Sequence, residues 1–310
     1  MNLHTVLGAS GSVGRAVIQE LKRKKLPIRA VSRSTSFEGA ENMRADLLQA
    51  STARQAIQGS SHVYLCVGLP YRSDVWQRDW PRLMQNVIEA CAESGAVLIF
   101  LDNVYLYGPP PLPIPFDEQT PQHPSSQKGK VRKEIFEMMQ RAMEAGKIQG
   151  VVGRSADFYG PNANFSPFYI SFLERMLKGK APQSLYPLDV PHTYAHVGDN
   201  GRALLALALD PTTHGQAWHL PVSEPMSITE ANALFNQALG TDFQVSVMPP
   251  FMQKMLSLFI RPLKEVQEMR YQFEGEYRMS DQKFRTHFPS FRVTPFAEGV
   301  AEMVASFQPN

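Results

Sequence analysis

Leu3-His4-Thr5-Val6-Leu7-Gly8-Ala9-Ser10-Gly11-Ser12-Val13-Gly14 is the stretch that decides how this chain is read. A short apolar run meets a glycine at every third position, Gly8, Gly11 and Gly14, and then passes into a helical pattern from Val13 to Leu21. A strand, a tight turn and a helix follow one another with no spacer. Glycine permits the turn, lets backbone N–H groups approach a pyrophosphate closely, and packs the helix on the sheet, while the helix N-terminus supplies partial positive charge. The spacing predicts a dinucleotide phosphate site formed by Gly8, Ser10, Gly11, Ser12, Val13 and Gly14.

Working outward, the apolar runs Ile28 to Val31 and Val63 to Val67 alternate with a helical pattern over Ala50 to Ile57, which reads as βαβ units and a parallel sheet. In the first helix Val13, Val17 and Leu21 share a face beside Ala16, and the basic run Lys22 to Lys25 sits where the dipole favours cations, just before Pro27. A further helix is expected from about Pro81, a good first-turn residue, through Leu83, Val87 and Cys91 to Gly95, followed by a buried strand over Ala96 to Leu101. Between Gly108 and Pro124 lie seven prolines, a stiff surface loop. Lys130 to Met143 returns to helix, with Val131, Ile135, Met138 and Met139 apolar, and Gly150 to Val152 makes a sixth strand.

The expected fold is therefore a doubly wound parallel α/β sheet with a smaller interleaved C-terminal substrate subdomain. A cofactor domain over 1–160 regains a strand and a helix near 192–220, the strand being placed at Thr193 to Val197, and the subdomain takes 161–191 and 221–310. Met252, Met255, Leu256 and Phe259 recur at helical spacing and are expected to be core or pocket lining rather than a membrane-surface face.

Composition excludes several classes. With 31 basic and 29 acidic residues in 310 the net charge is +2, which argues against a nucleic-acid backbone binder. Apolar residues at 43% and charged ones at 19% are those of an ordinary globule. Two cysteines, Cys66 and Cys91, give neither a disulfide framework nor a four-thiolate zinc site, so a reduced, cytoplasmic compartment is expected. No apolar run approaches the roughly 20 residues of a membrane span, and the strand beginning at Leu3 leaves no room for a signal peptide, so no membrane partner is expected. His192 and His196 have the spacing of a helical metal pair, but in a strand-like run they would stand about 13 Å apart, and no metal is predicted.

After the second strand, where a carboxylate would hold the ribose hydroxyls of NAD, the chain has Ser32-Arg33-Ser34; arginine matches a 2′-phosphate, so NADP is expected over NAD. Asp46-Leu47 follows a possible third strand, where it serves either the adenine amino group or a helix N-cap.

With the glycine loop, four further landmarks accumulate: Tyr107-Gly108, Arg154 to Pro161 (RSADFYGP), Ala195 to Arg202 (AHVGDNGR), and Ser280-Asp281-Gln282-Lys283-Phe284 followed by Thr294-Pro295. On these the chain resembles the extended short-chain dehydrogenase/reductase superfamily, the NAD(P)-dependent epimerase/dehydratase group, over nearly its whole length. The resemblance implies a Rossmann fold, a Ser or Thr with a Tyr and Lys in YxxxK spacing, cofactor contacts at Cys66, Val67, Gly68, Ser155 and Ala156, and a homodimer through the fourth and fifth helices. Lys130 falls on the lysine and is implied to bind the nicotinamide ribose. Ser126 stands where the tyrosine should be, and Asn103 where the hydroxyl should be.

An aliphatic hydroxyl titrates far above neutral pH, so Ser126 cannot take over as proton donor, and Asn103 can polarise a carbonyl only by hydrogen bonding. Asn103, Tyr105 and Tyr107 alternate, so in an extended segment they point to one side and Tyr105 becomes the candidate donor, with Tyr159 and His123 as weaker substitutes. Lys128, two positions from Lys130, lies on roughly the opposite side of the helix, and spacing selects Lys130. Two functions follow from the same residues. One is an NADP-dependent oxidoreductase or epimerase/dehydratase-like enzyme acting on a small carbonyl or sugar-type substrate. The other is a non-catalytic cofactor-binding sensor or scaffold.

Overall fold

The computed structural model describes residues 2–308. The chain divides into two compact units, one running to Gly108 and taking in Gln122–Ser155 and Asn200–Leu220, the other formed by Pro109–Pro121, Ala156–Asp199 and the chain from Pro221 onward.

The first unit is built on seven parallel strands. In chain order these are β1 (Leu3–Leu7), β2 (Ile28–Val31), β3 (Glu41–Met43), β4 (Ser60–Leu65), β5 (Val97–Asn103), β6 (Gly150–Ser155) and the short strand Ala217–His219. In the sheet they run Ala217–His219, β6, β5, β4, β1, β2, β3. The chain lays β2 and β3 on one side of β1, then returns to place β4, β5 and β6 on the other, so the winding reverses between β1 and β4. Leu7 is level with both Val31 and Leu65, and Leu65 with Phe100, which sets the C-terminal ends of β2, β1, β4 and β5 side by side.

Helices α1 (Ser12–Arg23), α2 (Ala50–Ile57), α3 (Ser73–Ser94) and α4 (Gln127–Glu144) supply the connections. Leu7, Leu65, Leu98, Phe100 and Val152 from the strands share one buried cluster with Ala53, Trp80, Val87, Ile135 and Met139 from α2, α3 and α4. The polar residues inside β1 are paired rather than exposed. His4 Nδ1 is 3.0 Å from the Tyr64 hydroxyl, and the Thr5 hydroxyl is 2.6 Å from that of Ser60.

Three expectations are corrected. α3 starts at Ser73, so Pro81 lies inside the helix rather than in its first turn. Proline cannot donate to the carbonyl four residues back, yet the helix continues because Val75, Trp76, Trp80, Leu83, Met84 and Val87 bury a continuous face. It ends as expected at Gly95, at φ +68°. The strand placed at Thr193 to Val197 exists as Tyr194–His196 but pairs with Asp157–Tyr159 in the second unit; the main sheet regains Ala217–His219 instead. The apolar stripe from Met252 to Phe259 is split: Met255 and Phe259, the latter 84% exposed, turn outward, while Met252 and Leu256 are half-buried. The helix Pro250–Ser257 ends before Phe259, and the side chain it buries is that of Gln253.

The second unit has its own aromatic core, in which Tyr159, Phe168, Phe172, Tyr194, Phe235 and Phe296 pack together. Its proline-rich segment is anchored at Phe116, whose N–H donates to the Arg278 carbonyl at 2.9 Å and whose carbonyl accepts from Ser280 at 2.8 Å.

Candidate functional site

The glycine loop sits at the C-terminal end of β1, next to the reversal in the sheet. Gly8 has φ +82°, and a Cβ there would lie 2.7 Å from the Cys66 carbonyl oxygen; at Gly14 it would lie 2.4 Å from the Gly8 oxygen. Both positions therefore require glycine, whereas Gly11 has ordinary contact distances. The turn is fixed by Gly8 and Ala9 N–H groups donating to the Val31 carbonyl and by Gly11 N–H donating to the Gly8 carbonyl. α1 starts behind Gly11 with no side-chain cap and no acidic residue in its first turn. Its first amides and dipole are thus available to an anion, with Ser10 and Gly11 exposed, Ser12 half-buried and Val13 packed inside.

Beside this loop, Arg33 is exposed at the end of β2, following Ser32, whose hydroxyl accepts from the Thr35 N–H at 3.0 Å. Sequence reading missed Arg15. Its Nε donates to the Ser10 carbonyl at 3.1 Å and its guanidinium lies 5.4 Å from the Phe37 ring centre, beside the segment that carries Arg33. The signal was its place in the first turn of α1. Asp46 is exposed and accepts from the Leu48 N–H at 3.0 Å, while Gln49 rather than Asp46 precedes α2. Leu47 is buried, its carbonyl accepting from Asn86 at 2.9 Å.

At the end of β4 the Cys66 backbone borders Gly8, and burial pushes the Cys66 thiol up to about 12, so it remains protonated at neutral pH. Val67 follows half-buried and Gly68 has open space around its Cα. Ser155, the last residue of β6, is buried and its hydroxyl accepts from Asn200 at 2.8 Å; Ala156, where the chain leaves the first unit, is buried.

The expected row of Asn103, Tyr105 and Tyr107 does not form. β5 ends at Asn103 and residues Tyr105–Tyr107 make a single 3-10 turn, which the Asn103 side chain holds by accepting from the Tyr105 N–H at 3.1 Å. Tyr107 enters the interior, its hydroxyl 2.6 Å from His219 Nε2 and accepting from Arg154 at 2.9 Å. Tyr105 goes the other way, stacked on Trp76 with its hydroxyl 3.4 Å from that of Tyr71. Beneath the turn Asp102 is fully buried, with Arg132 at 2.6 Å and Arg154 at 3.4 Å.

Ser126 is the N-cap of α4, its hydroxyl accepting from the Gly129 N–H at 3.0 Å. Lys130 faces outward and lines a shallow surface groove with His123, Lys133 and Glu134. Lys128 is the buried lysine. Its Nζ donates to the Ser73 hydroxyl at 3.0 Å and lies 4.4 Å from the centre of the Tyr71 ring. The signal was helix phase: Lys128 shares the stripe of Val131, Arg132, Ile135 and Met139, and Lys130 does not.

Tyr159 is fully buried in the second unit, where burial raises its phenol well above the usual tyrosine range; that environment does not suit a proton donor. His123 is exposed. His192 bonds to Asp157 at 3.0 Å and to the Gln272 carbonyl at 3.1 Å, and among the described residues no group of three metal-ligating side chains occurs. No helix among them is long and apolar enough to cross a membrane.

Comparison with known proteins agrees with this architecture. The model of the NAD dependent epimerase/dehydratase family matches residues 4–220. A dTDP-6-deoxy-L-talose 4-dehydrogenase (NAD(P)(+)) of Kitasatospora kifunensis is 32% identical over 135 residues, which are 41% of this chain and 42% of that enzyme. The match spans about two fifths of that relative's length. UDP-glucose 4-epimerase of Thermus thermophilus, solved with NAD, superposes with a TM-score of 0.81 at 18% identity over 98% of both chains. UDP-glucuronic acid 4-epimerase of Bacillus cereus, also with NAD, gives 0.80 at 14% identity and the same coverage. At these identities the likeness is one of fold.

Proposed function

The chain belongs to an enzyme family, the NAD dependent epimerase/dehydratase family, and from that premise we propose that it is an NADP-dependent oxidoreductase or epimerase acting on a small carbonyl or sugar-type substrate. The observation that carries the reading is the uncapped start of α1, with an obligatory glycine before it at Gly8 and another in its first turn at Gly14, flanked by Arg33 and Arg15. Glycine at 8 and 14 lets the turn close against its own backbone, with Ser10 and Gly11 exposed at the uncapped start of α1, and this fits a pyrophosphate pressed against backbone amides. Arg33, with Arg15 beside it, would hold a 2′-phosphate, to which guanidinium offers paired donors. When bound, the nicotinamide supplies or accepts hydride. The C-terminal end of β4, and the end of β5 with the turn after it, where Asn103 and Tyr105 stand, would hold that half and polarise the substrate oxygen. The sugar-nucleotide enzymes among the fold relatives support a sugar-type substrate.

Titration of the protein with NADPH and NADH by calorimetry tests the reading. NADPH is expected to bind at least about tenfold more tightly, an advantage lost in Arg33→Ala and reduced in Arg15→Ala. Equal affinities would overturn the NADP preference, and no binding of either would overturn the function.

The capping role of Ser126 favours a second reading, a cofactor-binding sensor, because this hydroxyl is engaged with its own helix. Turnover of bound NADPH with carbonyl compounds separates the two.

A further inference from the structure

We propose that proton transfer at this site runs through a pair of phenols from different elements, Tyr105 and Tyr71, with Lys128 rather than Lys130 as the cation behind them. This rests on the nicotinamide-dependent reading above and names the proton path that reading lacks.

Three independent placements lead there. Tyr71 belongs to the connection from β4 to α3, Tyr105 to the turn after β5, and Lys128 to the first turn of α4, so the group assembles at the C-terminal ends of neighbouring strands, one strand over from the glycine loop. The two hydroxyls are 3.4 Å apart, a long hydrogen bond that shortens with a small side-chain movement. Lys128 has no exposed surface, yet its ammonium lies 4.4 Å over the Tyr71 ring and 3.0 Å from the Ser73 hydroxyl. A charge held there stabilises negative charge passing onto the phenol oxygens, through space and through the ring. Trp76 fixes both rings, lying near-parallel to Tyr105 and edge-on to Tyr71. At 37% exposure Tyr71 reaches water, while Tyr105 is half-buried.

The transfer balances as a relay. The O–H bond of Tyr105 breaks as one forms on the substrate oxygen, leaving a phenolate; Tyr105 takes the proton of Tyr71, and Tyr71 takes one from water, leaving hydroxide in the solvent. In the opposite direction each step reverses. Lys128 is a positioning residue in this scheme because it acts through Tyr71, and Lys130 has no part in it.

Ultraviolet difference titration of tyrosine ionisation, run on the NADP+-loaded protein, reads the relay without any substrate. A tyrosine phase at lower pH than the bulk is expected in the wild type, absent in Tyr71→Phe and Tyr105→Phe, and moved up by about one pH unit or more in Lys128→Met. Lys128→Arg, which keeps the charge, should restore it, and Lys130→Met should titrate as the wild type does. A phase unmoved by Lys128→Met, or moved as much by Lys130→Met, overturns the proposal while leaving the cofactor reading intact. Should Lys128→Met fail to fold, the two phenylalanine variants decide alone, since they keep the rings; an early phase surviving both overturns the relay. If the wild type binds neither NADPH nor NADP+, the functional reading fails and the relay with it.

Discussion

The carbonyl oxygen of Tyr105 lies 2.5 Å from where a Cβ on residue 129 would be, so only glycine lets the turn after β5 seat against the start of α4. A second such contact joins the same two segments, for a Cβ on Gly108 would fall 2.1 Å from the His123 carbonyl oxygen. The neighbouring Gly129 N–H is already committed to Ser126. The position of the Tyr105 phenol is thus set by backbone-to-backbone contact, and Ser126 has the local task of starting the helix.

Gly129→Ala is therefore expected to push the turn away from α4, at a cost of roughly 1–3 kcal/mol for overpacking a backbone contact. Thermal unfolding measures that cost. The tyrosine difference spectrum should change as well, because the ring of Tyr105 leaves Trp76. An alanine variant with wild-type stability and spectrum would show that the seating is loose.

Within the glycine loop the three positions should respond unequally. Gly14→Ala meets the Gly8 oxygen and Gly8→Ala adds an unfavourable φ, whereas Gly11→Ala meets only ordinary contacts. Calorimetric titration with NADPH should show binding lost or weakened by about tenfold or more in the first two, with unfolding temperature lowered. Gly11→Ala should fold normally, so any loss of affinity there isolates the close approach of the pyrophosphate from the shape of the turn.

At the opposite end of the strands, His4 stacks on His62 with ring centres 4.5 Å apart. Burial first, and the neighbouring His62 second, lower His4 from 6.5 to about 4. The folded state therefore keeps it neutral where the unfolded chain takes up a proton. Stability is fully present above pH 6.5 and falls as the pH drops from 6.5 toward 4, by at most roughly 3 kcal/mol for this one group. His62 is lowered too and acts in the same direction. Denaturant unfolding at stepped pH should show that slope, and His4→Gln should flatten it; an unchanged slope in the variant would assign the acid sensitivity to other groups.

The sheet was legible because strands buried on both faces read as short apolar runs, and because the Gly8 and Gly14 constraints leave glycine as the residue that fits. Four features were not. The polar pairs His4–Tyr64 and Thr5–Ser60 depend on residues far apart in sequence. Pro81 was read from its local preference, which the long apolar face of α3 overrides. Ala217–His219 is too short to announce a strand. For the lysines, motif spacing selected Lys130, while the apolar phase of α4 takes Lys128 inward. The phase of a helix is set by what it packs on, and the spacing rule carried no information about that.

The last prediction concerns the charge under the phenol turn. Asp102 has no exposed surface and faces two guanidiniums, Arg132 at 2.6 Å and Arg154 at 3.4 Å, themselves 5% and 1% exposed. Arg132 also lies 4.9 Å from the centre of the Trp80 ring and Arg154 4.2 Å from that of Phe136. Aromatic faces offset part of the second positive charge, but only Asp102 supplies a full negative one within this group. Asp102→Asn keeps the shape and removes the charge, leaving both cations buried without it, and is expected to cost about 3–5 kcal/mol. Because Asp102 directly precedes Asn103, the loss should also loosen the turn that carries Tyr105 and Tyr107, seen as faster amide exchange over residues 103–108. A variant as stable as the wild type would mean that water or the rings already screen the two guanidiniums. Replacing Arg154 by Met in the Asp102→Asn background separates the cases: partial recovery of stability is expected if repulsion between the arginines is the cost, and a further loss if packing is.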